Sequence, residues 1–138
     1  MTSGFLTRTM TWDAEASNIA EARRFVADEL VAHGLDDAVP DARLVVSELA
    51  TNAVRHAGSR FSVSVDVMGA DVTITVTDPS STLPTLLHAT SLHDNGRGLA
   101  IVAELSSSWG VTPEPHGGKS VWALIVTPAH RDGLGRWG

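Results

Sequence analysis

The middle of the chain alternates strictly between apolar and polar residues. Phe61, Val63, Val65 and Val67 alternate with Arg60, Ser62, Ser64 and Asp66, and then Val72, Ile74 and Val76 alternate with Thr73, Thr75 and Thr77. Period two marks a strand with one buried and one open face. The two runs therefore predict a β-hairpin that turns at Gly69-Ala70-Asp71 and ends at Asp78-Pro79, where proline cannot continue a central ladder. Upstream the period lengthens. Ile19, Ala22, Val26 and Leu30 recur at three- and four-residue spacing between Asp13, the expected N-cap, and Gly34, a suitable helix stop. A second helix is predicted from about Pro40 to Gly58, with Ala42, Val46, Leu49, Ala53 and Ala57 as its buried stripe. Before both, Leu6, Met10 and Trp12 alternate with Thr7, Thr9 and Thr11, predicting a short first strand although Arg8 breaks its apolar set.

Residues 80–95 follow neither period and exceed the roughly 12 to 15 residues at which a structureless loop becomes unusual, so a mobile lid is expected there. Gly96 opens a third helix over 97–105, and a last hairpin pairs 109–113 with 120–127 about Gly117-Gly118. Hairpins interleaved with helices predict an α+β fold: a two-layer sandwich with a mixed, mostly antiparallel sheet and helices on one face. The length of 138 residues suits one domain, expected over 1–127, followed by a polar, disordered tail over 128–138.

Composition narrows the function classes. With 43% hydrophobic and 19% charged residues the chain is a folded domain, and without cysteine it has neither a disulfide framework nor a thiolate for metal or nucleophilic chemistry. Ten basic against sixteen acidic residues give a net charge of -6, which removes the electrostatic basis for DNA binding. The N-terminus lacks the pattern of a signal peptide, and no apolar run approaches the roughly 18 residues of a membrane span, so a cytoplasmic location without membrane contact is expected. The six histidines show no helical i, i+4 pair, so no structural metal site is expected.

Two phosphate-binding motifs are present only as fragments. Gly118-Lys119-Ser120 resembles the end of a P-loop, but Pro113 stands where the motif needs glycine and the segment runs into a strand pattern instead of a helix. Gly96-Arg97-Gly98 begins like a dinucleotide fingerprint, but Ile101 replaces the third glycine and a loop precedes it. The glycine pair can still present backbone N–H groups to an anion at a helix start, or simply let a loop enter a helix. On helix 2, Glu48, Asn52 and Arg55 fall within about 60° of one another, roughly opposite the apolar stripe. That face is either an ordinary solvated surface or a site. An amide oxygen suits Mg²⁺, a carboxylate one turn away suits deprotonating a hydroxyl, and a guanidinium suits phosphate. Asp78 either ends a strand before proline or accepts a hydrogen bond from an exocyclic amino group.

Taken in order, Glu48-Leu49-Ala50-Thr51-Asn52, Val76-Thr77-Asp78, Gly96-Arg97-Gly98-Leu99 and Gly117-Gly118-Lys119-Ser120 resemble the boxes of the GHKL ATPase superfamily, which has the Bergerat fold. The resemblance spans 12–127 and is nearest to the stand-alone anti-sigma-factor serine/threonine kinases of Gram-positive bacteria. It implies ATP and Mg²⁺ as cofactors, with Asn52 binding Mg²⁺ and Glu48 acting as the base. It also implies Arg55 near phosphate, Asp78 on the adenine amino group, Gly96, Arg97, Gly98 and Leu99 about the phosphates, and Ser120 near the adenine. The implied partners are a sigma factor and a small antagonist protein that is phosphorylated, and a homodimer is one assembly it allows. One box departs: where the family has Asp-x-Gly-x-Gly, this chain has Asp78-Pro79-Ser80-Ser81-Thr82, which restricts the backbone beside the base. The other reading is a partner-docking module that binds nucleotide weakly or not at all.

Overall fold

The computed structural model describes residues 5–80, 94–115 and 117–126. In chain order they form β1 (Phe5–Asp13), α1 (Ser17–Ala32), a 3₁₀ turn (Asp36–Ala38), α2 (Val39–Ala57), β2 (Arg60–Met68), β3 (Asp71–Asp78), α3 (Asp94–Leu105), β4 (Ser108–Pro113) and β5 (Lys119–Val126). The five strands make one open sheet in the order β1-β2-β3-β5-β4, and each described pairing is antiparallel. This is the expected α+β architecture, and the sheet is antiparallel throughout instead of mixed.

The alternation of β2 and β3 is reproduced residue by residue: Phe61, Val63, Val65 and Val67 are buried, as are Val72, Ile74 and Val76. They face α2 together with Val121, Ala123 and Ile125 of β5. Trp12 closes the β1 side, with its ring centroid 5.9 Å from Phe25 on α1 and 5.6 Å from Phe61. The opposite face is hydroxyl-rich, and Thr9 and Thr11 bond Ser64 and Ser62 across the β1–β2 pair at 2.8 Å. Helix α2 ends where Gly58 adopts φ 76°, a left-handed conformation that glycine takes without steric cost.

Two expectations are revised. Asp13 does not cap α1: it is the last residue of β1, paired with Arg60, and its carbonyl accepts a bond from Asn18 Nδ2 at 2.9 Å. The sheet ladder thus claims the residue, and the helix begins four positions later. Helix α3 starts at Asp94, so Gly96 and Gly98 lie inside its first turns and not ahead of it. Of the lid expected over 80–95, residues 94–95 belong to α3, and residues 81–93 lie outside the described residues, as does the tail over 128–138. Among the described residues no helix is long and apolar enough to cross a membrane.

Candidate functional site

The sheet order brings two chain segments distant in sequence to one end of the molecule. Asp78 is the last residue of β3 and Lys119 the first of β5, and the ladder pairs them directly. The start of β2 lies beside the same end, since Ser62 pairs with Thr77. Because β2 begins three residues after α2 ends, the last turns of α2 are delivered there too. The far end receives the C-terminus of α3, since after Leu105 the Ser107 N–H bonds the Leu124 carbonyl, and the helix packs against α2.

Helix α2 is wrapped by α1, α3 and the sheet, and the neighbours widen its buried face. Val45 and Ala50 are buried in addition to Ala42, Val46, Leu49 and Ala53 of the expected stripe, an arc of about 140° at 100° per residue. Asn52 sits on the edge of that arc at 9% exposure instead of on an opposite, solvated face. Glu48, one turn earlier, is half-buried, and Arg55, one turn later, is exposed. The carboxamide of Asn52 makes no side-chain hydrogen bond among the described residues, in a mid-helix position that disfavours asparagine relative to alanine. The three residues therefore line up along the margin between core and solvent.

At the sheet end, Lys119 Nζ donates to both oxygens of Asp78, at 2.9 and 3.0 Å, and lies 3.5 Å from the Ser80 carbonyl. Asp78 Oδ1 also accepts from the Ser80 N–H at 2.8 Å. Both members of the pair are buried, with side chains 4% and 3% exposed. Ser120 points the other way. Its hydroxyl donates to Glu114 at 2.6 Å and shares a 2.7 Å bond with Thr77 Oγ1, on the sheet face opposite the helices. The structure thus does not bring Ser120 beside Asp78 on the helix side, because strand alternation gives that position to its neighbour. A cavity of about 330 Å³ opens at this end, lined by Arg60, Ser62, Thr77, Asp78, Pro79 and Glu114 among others.

Lys119, Thr77 and Glu114 were not anticipated. The signal for Lys119 lay in the period: Val121, Ala123 and Ile125 face the core, so the residue two before Val121 faces it as well. Gly96, Arg97, Gly98 and Leu99 are on α3, with the two glycines within its first five residues. Among the described residues, no three His, Asp or Glu side chains converge as a metal site.

Comparison with known proteins agrees with this architecture. A solved structure of the RsbU and RsbW domains of Rv1364c from Mycobacterium tuberculosis superimposes with a TM-score of 0.67 at 21% identity, over 88% of this chain. The chain spans 32% of that protein's length. None of the curated proteins matches it. The family model for the histidine kinase-like ATPase domain matches residues 12–124. With the fold and most of its length accounted for, the chain belongs to the histidine kinase-like ATPase domain family.

Proposed function

We propose that the domain binds Mg²⁺-ATP beside Asn52 and transfers its γ-phosphoryl group to a serine or threonine of a small antagonist protein, while also holding a sigma factor. The observation that carries the reading is the pair Glu48 and Asn52, one turn apart along the margin of α2, with Asn52 buried and its carboxamide unspent. The donor set suits the cofactor. The amide oxygen of Asn52 is a hard ligand, and Mg²⁺ held largely by substrate phosphates needs no dedicated protein cage. When bound, the ion and nucleotide supply an activated phosphoryl group whose charge the metal offsets.

This chain's residues supply the rest. Glu48 takes the proton of the attacking hydroxyl as the new O–P bond forms, and ADP leaves with the electrons of the old one. Arg55 stands one turn further along the helix, where a guanidinium meets phosphate oxygens. Gly96 lies in the first turn of α3, where backbone N–H groups have no intrahelical acceptor and suit an anion, and Gly98 follows two residues later within the helix. The reading keeps the cytoplasmic setting expected from the sequence. A second reading, a docking module without chemistry, is favoured by one observation: Lys119 occupies the carboxylate of Asp78.

Calorimetry with ATP, with and without Mg²⁺, tests the binding step. The proposal expects Mg²⁺-dependent heat at micromolar to millimolar ATP that is lost in Asn52→Ala. For the chemical step, Glu48→Gln keeps ATP binding while ³²P transfer to an antagonist encoded beside this protein falls by roughly 10² or more. Absence of heat in the folded wild type at millimolar ATP rejects the reading.

A further inference from the structure

The buried pair at the sheet end asks what else competes for Asp78. A carboxylate offers about four lone-pair sites, and an ammonium carries three donors. Oδ1 of Asp78 accepts from Lys119 and from the Ser80 N–H, and Oδ2 accepts from Lys119. The third ammonium donor is directed toward the Ser80 carbonyl. Both side chains are almost wholly removed from solvent, so water does not compete for either. The turn that carries Lys119 is itself pressed onto this spot. Gly118, at φ 89°, lies so close to Asp78 and Pro79 that a Cβ there would overlap their backbone. The lysine is thus delivered to Asp78 by a fixed turn and not by a wandering side chain.

We infer that Lys119 sets the nucleotide affinity of this site from within, its ammonium holding on Asp78 the place an exocyclic amino group of the base would take. The inference rests on the nucleotide reading above. A base amino group is neutral, and hydrogen bonds from a charged donor are roughly twice as strong. Displacing Lys119 by a base would also strand a buried ammonium without a partner, which is a large penalty. The wild type therefore binds adenine nucleotides only when the lysine is unseated, and a smaller neutral side chain at 119 releases the site. Threonine suits the position, because it is β-branched for a strand and its hydroxyl leaves a carboxylate oxygen of Asp78 available.

The experiment is calorimetric titration of the full chain with ATP and with GTP at saturating Mg²⁺, for wild type, Lys119→Thr, Lys119→Gln and Lys119→Arg. The expected result is at least about tenfold tighter ATP binding by Lys119→Thr, a smaller gain for Lys119→Gln and none for Lys119→Arg, with no comparable gain for GTP. Loss of stability alone does not raise affinity, so a gain separates this role from a structural one. If Lys119→Thr fails to fold, the larger neutral side chain of Lys119→Gln carries the test. Wild type and folded neutral variants binding ATP equally, or gaining equally for ATP and GTP, overturn the inference and leave the ATP reading intact. No heat from wild type or from any folded variant overturns both.

Discussion

Gly118 lies against the backbone of Asp78: a Cβ on the glycine would stand 2.3 Å from the Asp78 carbonyl oxygen and 2.8 Å from Pro79 Cα. The adjacent Gly117 has a similar left-handed φ of 97° but open space around it. The two positions separate conformational strain from collision. Gly117→Ala is expected to cost about 1 kcal/mol, the strain of a left-handed residue with a Cβ. Gly118→Ala is expected to cost at least about twice that, because backbone atoms must move as well. Urea denaturation of the two variants measures the difference, and equal losses contradict the close approach.

The Asp78–Lys119 pair predicts a non-additive stability cycle. Asp78→Asn leaves a buried ammonium without its counter-charge and is expected to destabilise by about 3–5 kcal/mol. The double variant Asp78→Leu/Lys119→Met removes both charges from the same pocket and is expected to regain most of that loss. Denaturation midpoints of Asp78→Leu, Lys119→Met and their double variant give the coupling. Additive losses would mean that the two side chains do not depend on each other.

Asn52 predicts the opposite signature. An asparagine in mid-helix is less favourable than alanine by about 0.5 kcal/mol, and this one makes no compensating side-chain bond among the described residues. Asn52→Ala is therefore expected to leave unfolding stability unchanged or raise it by up to about 0.5 kcal/mol, although it removes a candidate ligand. A loss above about 1 kcal/mol in denaturant titration would assign Asn52 to structure instead.

Much of the fold was legible because one physical signal dominated each segment. In β2 and β3 alternation alone set the buried faces, and Gly58 set the end of α2. Local signals failed where tertiary contacts decide. Asp13 carries the chemistry of a cap, yet the ladder with Arg60 draws it into β1. Asn52 lies on the margin of the core because α1, α3 and the sheet all cover α2, which no single helical projection reveals. Ser120 was expected beside the base on the strength of the resemblance. Its neighbour Lys119 faces Asp78 because β5 enters the sheet between β3 and β4, a register that the sequence does not display.

Mg²⁺-ATP is proposed to bind at one end of the sheet, where β3, β5 and the last turns of α2 meet. The most direct test is a titration of the ¹⁵N-labelled protein with ATP in saturating Mg²⁺, followed amide by amide. The expected shifts are concentrated at Asn52, Asp78, Lys119 and the Gly96–Gly98 turn, with Thr9 and Ser64 on the hydroxyl-rich face unmoved. Shifts centred on that outer face, or none at millimolar ATP, would contradict it.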